Sequence, residues 1–271
     1  LQVDGNGRLE DIEFLSAFKT LRQLTISGLN VEKLPRNLAR LKGLEWLTLS
    51  SEVLQDVSVL SKITSLRRIS IHGGKQLRSL PRFRANHQVY SLSLSHLSPL
   101  FDFTNLPSLR RLTHFTTTGM DYIAIPESLP NSVRYVSVYG NNTLAQLSKL
   151  EHLPYLQGIK IKDTQLEYIA LSLQDMDFLK LHRNERLKRI KLQLGTSCFE
   201  TFELLDLPAL TALETDLQRV KIGELLIGRT GLRELPLITR QMVRVIISDN
   251  QLLRAERLFV DEPDHKVSIF N

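Results

Sequence analysis

Cys198, the histidines His72, His96 and His114, and the turn Gly73-Gly74-Lys75 are the residues of this chain whose types could do chemistry. Cys198 is the only cysteine, and a thiol nucleophile needs a base beside it; none lies near it in the sequence. A half-buried, inert thiol is expected there. The three histidines recur at a spacing that would stand them on neighbouring strands. Zinc needs three or four converging ligands at about 2.0–2.3 Å, and no carboxylate or thiol joins them at matching positions, so no metal is expected. Gly73-Gly74-Lys75 lacks the Ser or Thr that completes a phosphate-binding loop. The motifs GxGxxG, HExxH and GxSxG are absent, and no carboxylate pair recurs on one face as glycoside hydrolysis requires. Asn141-Asn142-Thr143 matches a glycosylation acceptor, a weak tripeptide signal. The expectation is a chain without catalytic residues, cofactor or small-molecule substrate.

Composition narrows the remaining classes. Hydrophobic residues make up 42% and charged residues 24%, as in ordinary folded domains. No run approaches the roughly 18 apolar residues of a membrane helix, so no membrane partner is expected. Leu1-Gln2-Val3-Asp4 carries neither an initiator Met nor a signal peptide, which places any export signal outside this piece. A single cysteine excludes an intrachain disulfide and suits a reducing compartment or a bacterial source. The net charge of +6 reads as spread out, with Lys and Arg interleaved with Asp and Glu. Nucleic-acid binders concentrate theirs, so no nucleic-acid partner is expected.

The elements that would position these residues come from an internal repeat. Its unit is an apolar residue, any two residues, an apolar residue, any one residue, and a third apolar residue. It appears as Leu21-Leu24-Ile26, Leu44-Leu47-Leu49, Leu66-Ile69-Ile71, Val89-Leu92-Leu94, Leu112-Phe115-Thr117 and Val133-Val136-Val138. It continues as Leu156-Ile159-Ile161, Met176-Leu179-Leu181, Phe199-Phe202-Leu204, Ile222-Leu225-Ile227 and Met242-Val245-Ile247. Starts lie 20 to 23 residues apart, inside the leucine-rich-repeat range of about 20–29. Leu1-Val3 and Val267-Ile269 fit the same frame, so partial repeats are expected at both ends of one domain spanning 1–271. After each strand a second apolar pair, such as Leu34-Pro35, Ile123 with Pro126, Leu166 with Ile169 or Leu235-Pro236, closes the turn.

No unit can bury its own core, so units must stack. The predicted fold is an α/β solenoid, a leucine-rich-repeat horseshoe with parallel strands on its concave face. Its return segments are expected to be short helices or irregular, with one or two helical turns at 36–44 and 58–66. Strands about 4.8 Å apart would make the concave face of thirteen strands on the order of 60 Å long, a protein-sized groove. An Asn three places after the last strand leucine commonly bonds successive turns. Here only Asn141, Asn184 and Asn250 occupy that place, with Thr164, Thr230, Gly74 or an apolar residue elsewhere. A broken or replaced turn ladder, with uneven curvature, is expected.

Strand side chains alternate, so the residues between inward apolar positions line the concave face. They include Trp46, Arg68, His72, His114, Tyr135, Tyr139, Lys160, Lys162, Phe178, Lys180 and His182, with His96 and Arg183 at strand ends. Short hydroxyl residues fill many of the other places. Rings among adaptable hydroxyls suit protein recognition. The block Lys160, Lys162, Lys180 and Arg183 would favour an acidic patch on a partner.

The stretch Leu21–Pro81 resembles the repeat region of type III secreted effectors of plant-pathogenic bacteria, in particular XopL-type effector ubiquitin ligases; LRRISIHGGKQLRSLP is the most similar segment. IPESLPNSVRYVSVYGNN and LRELPLITRQMVRVIISDN resemble the short repeats of the IpaH and YopM groups. The resemblance implies a target-recognition region that selects a host protein inside the host cell cytoplasm, with chemistry such as ubiquitin transfer in a separate domain. No IpaH-type catalytic Cys motif and no Fic-type motif is present. Two other readings stay open: the sensor region of an innate immune receptor, and the repeat portion of an enzyme whose catalytic domain lies elsewhere.

Overall fold

In the computed structural model the described residues are 1–120, 125–141, 147–195, 198–217, 220–235, 242–250 and 266–270. Ile123, Pro236 and the Asn142-Thr143 pair lie outside them. The chain divides into two compact units, Leu1–Val133 and Arg134–Asn271.

The first unit carries β1 (Gln2–Leu9), β2 (Gln23–Leu29), β3 (Trp46–Ser51), β4 (Arg68–Gly73), β5 (Ser91–Ser95) and β6 (His114–Thr118). They pair in parallel in chain order. Leu24, Leu47, Ile69, Leu92 and Phe115 stand in one register row and Ile26, Leu49, Ile71, Leu94 and Thr117 in another. All ten are buried. Each apolar side chain thus lies over its counterpart one repeat away, and the core is a set of continuous aliphatic ladders. Return segments run through 3-10 turns at Glu13–Ala17, Arg36–Arg40, Ser58–Lys62 and Leu106–Ser108. These fall where helical turns were predicted at 36–44 and 58–66. They stay short because one turn suffices to bring Leu15, Leu38 and Leu60 inward before the next strand begins.

The second unit carries β7 (Tyr135–Tyr139), β8 (Gly158–Lys162), β9 (Tyr168–Leu173), β10 (Met176–His182), β11 (Arg189–Leu194), β12 (Cys198–Leu207), β13 (Ala212–Glu214), β14 (Lys221–Thr230), β15 (Met242–Ser248) and β16 (Lys266–Phe270). The main sheet runs β7-β8-β10-β12-β14-β15-β16, all parallel. Each unit is built as a leucine-rich-repeat solenoid. In the second unit a 3-10 turn at Ser148–His152 follows the expectation, and the later return segments differ from it. β9, β11 and β13 form their own three-stranded parallel sheet. Arg189 to Gln193 alternate exposed and buried, the period-two pattern of a half-buried strand. No α-helix occurs among the described residues.

The turn ladder is replaced at two steps of the second unit and interrupted at Leu207 between them. Asn184 Oδ1 accepts both the backbone N–H (3.0 Å) and the hydroxyl (2.6 Å) of Thr164 in the preceding repeat. Its Nδ2 donates to the carbonyls of Ile161 and His182, each at 3.1 Å. Asn250 does the same for Thr230, Ile227 and Ser248. Thr164 and Thr230 therefore supply the donors that complete the next repeat's amide.

One place earlier sits a residue with left-handed backbone. In the second unit these are Gly140 and then Asp163, Arg183, Asp206, Arg229 and Asp249, with φ of 50–58°. Arg183 grips Asp163 with Nε at 2.7 Å and Nη2 at 2.6 Å, and Arg229 pairs with Asp206. The Arg229 hydrogen bond holds the Asp206 carboxyl below the usual carboxylate range.

Among the described residues of the first unit, His87 is the buried titratable group. Its Nε2 donates to Leu60 O (3.2 Å), its ring meets Phe83 edge-on at 4.6 Å, and Nδ1 is buried with no partner. Burial pushes its pKa below the ordinary histidine value. Protonation would place an unpaired N–H⁺ in the core. The stability it contributes is thus present above pH about 6.5 and lost as pH falls through the lowered folded-state value. Denaturant titrations at pH 7.5 and 5.5 should show the loss. His87→Gln, whose amide can donate to the same carbonyl without titrating, should show a shallower dependence. An equally steep one would assign the effect to other groups.

Candidate functional site

On the outward face of the first unit, Gln23, Trp46, Arg68, Ser91 and His114 occupy one register row. Trp46 is 38% exposed. The Arg68 guanidinium lies 4.6 Å from the Trp46 ring centroid and 5.3 Å from that of Tyr90. Its Nε donates to the Tyr90 hydroxyl at 2.5 Å. An arginine stacked between two rings is held in one conformation while its remaining N–H groups stay available. His114 meets Tyr90 edge-on at 6.2 Å, and its Nδ1 contacts the Thr113 hydroxyl at 2.8 Å. Burial, then the nearby Arg68 charge, hold His114 below the usual histidine pKa. His72, near the end of β4, and His96, just past β5, meet edge-on at 4.9 Å at the other end of these strands. Register thus separates His114 from the other two. Among the described residues no group of three His, Cys, Asp or Glu is gathered to hold a metal.

In the second unit the outward face begins with an aromatic pair. Tyr135 and Phe178 stack with centroids 5.8 Å apart and planes 12° from parallel, across Gly158 on the strand between them. A Cβ at Gly158 would stand 2.5 Å from the Phe178 ring and 2.7 Å from that of Tyr135. Its absence lets two strands that are not neighbours share one aromatic surface. The Tyr135 hydroxyl donates to Asp177 Oδ2 at 2.6 Å, and this bond raises the tyrosine pKa. Tyr139 lies under Lys160 Nζ, 5.7 Å away.

The predicted basic block is largely matched inside the chain. Lys180 Nζ lies 2.7 Å from Glu203 Oε1 and His182 Nε2 lies 2.6 Å from Oε2. Burial pushes His182 below the ordinary histidine pKa, and Glu203 only partly opposes this, so its ring donates a neutral hydrogen bond near pH 7. Arg183 is committed to Asp163. Among the described residues, Lys160 and Lys162 make no ion pair. The block expected from the sequence is thus reduced, on the face itself, to these two lysines.

Two other expectations change. Cys198 is exposed at the start of β12 rather than half-buried, because it stands one place before the inward Phe199. Charge is concentrated rather than spread out. Between residues 57 and 120 stand nine basic residues (Lys62, Arg67, Arg68, Lys75, Arg78, Arg82, Arg84, Arg110 and Arg111) and one acidic residue, Asp102.

Several face residues escaped the sequence reading. Tyr90 precedes its strand and lay outside the outward frame. Alternation puts Glu203, between the inward Phe202 and Leu204, on the face, but its pairing with Lys180 and His182 depends on register between repeats. Leu205, Leu226 and Ile246 are half-buried and lie on neighbouring outward rows. Their signal was present as apolar residues at places where polar ones are the rule.

No family model and no curated protein matches the sequence. Similar solved structures include the plant peptide hormone receptor RGFR1 in complex with RGF2, 16% identical with a TM-score of 0.40. The match covers 91% of this chain and 46% of that one, so this chain spans less than half of the receptor's length. An internalin (inlF) from Listeria monocytogenes is also 16% identical, with a TM-score of 0.45, covering 98% of this chain and 84% of that one.

Proposed function

We propose that this chain is a protein-recognition module that holds its partner on the outward face of its parallel strands. We read it further as the target-binding region of a bacterial effector that acts on proteins in the host cell cytoplasm, with substrate selection for a ubiquitin ligase as its role. The observation that carries the recognition role is Trp46. It is the only Trp of the chain, it gains no core burial, and Arg68 fixes it in an exposed position. Pre-ordered rings and arginines of this kind dominate binding energy at protein interfaces. Leu205, Leu226 and Ile246 extend the apolar material on the face of the second unit, and the unpaired Lys160 and Lys162 favour an acidic patch on the partner. The effector reading rests on the similarity of Leu21–Pro81 to repeats of that class.

The test starts from partners captured out of host-cell lysate by the intact chain and identified. Purified partner is then titrated against Trp46→Ala, Tyr139→Ala and a Lys160→Glu, Lys162→Glu double variant. Trp46→Ala is expected to weaken binding by about tenfold or more, with an unchanged unfolding midpoint. The charge reversal is expected mainly to slow association and to lessen its salt dependence. If all three variants bind like the parent chain, the outward face is not the recognition surface.

A further inference from the structure

The return side of the first unit holds a cleft of about 700 Å³ that takes no part in the strand face. Its walls come from two successive repeats. Arg82, Phe83 and Arg84 follow β4 and its return turn, and Asn105, Ser108 and Arg110 follow β5. Phe83 is buried and forms part of the floor, while the three arginines are exposed.

The neutral polar groups of the cleft are already engaged. Ser108 Oγ accepts the Phe83 N–H at 3.0 Å and donates to Asn105 O at 2.5 Å. Asn105 Nδ2 donates to Leu80 O at 2.8 Å. These bonds tie the two walls together and fix the distance between them. Arg82, Arg84 and Arg110 have neither an ion pair nor a side-chain hydrogen bond among the described residues. The nearest acid in the sequence is Asp102, whose Oδ1 already accepts from Thr104. Three forked donors therefore surround a cleft with no anion of the protein's own, in the segment where nine basic residues face one acid.

We propose that this cleft binds a phosphate monoester carried on a protein segment. Guanidinium forks match the tetrahedral oxygens of a dianion and bond them in pairs, which a point-charge ammonium does not. The volume is within the range of small-ligand sites, about 300–1,000 Å³, so a phosphorylated side chain and its neighbouring backbone fit. A protein segment is favoured over nucleic acid by shape and surroundings. The charge frames a cleft with a partly apolar floor and forms no track, and the exposed rings on which bases could stack lie on the strand face instead. The inference is independent of the strand-face reading, since no outward residue lines the cleft.

The test uses the intact chain with four probes: the tripeptide Ala-phosphoserine-Ala blocked at both ends, its unphosphorylated form, inorganic phosphate and a twelve-nucleotide single strand. Binding is followed by calorimetry, with chemical-shift changes at arginine Nε–H to locate it. The phosphorylated tripeptide should bind at least about tenfold tighter than the unphosphorylated one, and tighter than inorganic phosphate. Arg82→Gln, Arg84→Gln and Arg110→Gln should each weaken it about tenfold. Arg84→Lys should restore only part of the loss, and Arg40→Gln, an equal charge change outside the cleft, should leave binding unchanged. Equal binding of the two tripeptides overturns the proposal, as does equal sensitivity to Arg40→Gln. Tighter binding of the oligonucleotide than of the phosphopeptide, lost in the same three variants, overturns the choice of ligand. Inorganic phosphate binding as tightly as the peptide would show an ion site with no peptide recognition.

Discussion

Replacing Asn184 with alanine should destabilise the fold by about 3–5 kcal/mol in denaturant titration. The estimate follows from what the side chain satisfies. Its amide makes four hydrogen bonds, and it is fully buried. Removing it strands the buried Thr164 N–H and hydroxyl and takes a donor from the Ile161 carbonyl, while the His182 carbonyl keeps the Asp163 N–H at 3.2 Å; each unmet buried group costs roughly 1–3 kcal/mol. Not all of that is realised, since the Thr164 hydroxyl can rotate. Asn184→Asp discriminates between the two halves of the amide. It keeps the acceptor for Thr164 but turns a carboxylate oxygen toward the carbonyls of Ile161 and His182, and should be at least as damaging at neutral pH. A loss below about 1 kcal/mol for Asn184→Ala would mean that water or backbone movement satisfies these groups after all.

Gly73→Ala is expected to destabilise by about 3 kcal/mol, while Gly43→Ala should be near neutral. Gly73 has φ of 88°, and an added Cβ would lie 2.5 Å from the Ser51 carbonyl oxygen. That oxygen also accepts the Gly74 N–H. The obstacle is backbone in the adjacent repeat, which cannot swing aside like a side-chain tip. Backbone strain of about 1–3 kcal/mol adds to the contact. At Gly43 the nearest atom would be 3.6 Å away and no left-handed backbone is involved. Thermal unfolding of the two variants side by side decides the matter, and equal midpoints would show that the Ser51 turn relaxes freely.

How much the sequence revealed depended on the distance over which each feature is encoded. The strands were legible because each is written within six residues, as in Leu66-Ile69-Ile71, and then repeated. The 3-10 turns near Arg36 and Ser58 were legible for the same reason. The second sheet was less so. Tyr168 to Leu173 alternate as a strand should, but Ile169 equally fits as the partner of Leu166 in a turn. Thr164 and Thr230 read as gaps in an Asn ladder, because a donor to the following repeat is recognisable only once repeats are stacked. At the candidate site, the outward position of Trp46 and Phe178 followed from alternation alone. That Lys180 and His182 share Glu203 did not, since that partner stands more than twenty residues away. The basic segment from 57 to 120 was visible in principle. Averaging charge over the whole chain concealed it.

The alternation of Asp163, Arg183, Asp206, Arg229 and Asp249 along the strand ends of the second unit also bears on how such a chain can change its length. Excising the single repeat that carries Arg183 would set Asp163 against Asp206, and would leave Thr164 facing Leu207 in place of an amide. Excising two successive repeats would keep acid against base. Like charges in adjacent places repel and opposite ones attract, so this stretch has a parity. In charge, its repeats can be gained or lost without conflict only in pairs. Neighbour terms in a stacked array usually treat all repeats as equivalent; here odd and even repeats carry opposite charges at the strand end, while the Thr164–Asn184 and Thr230–Asn250 bonds, set apart by Leu207, recur only every third repeat.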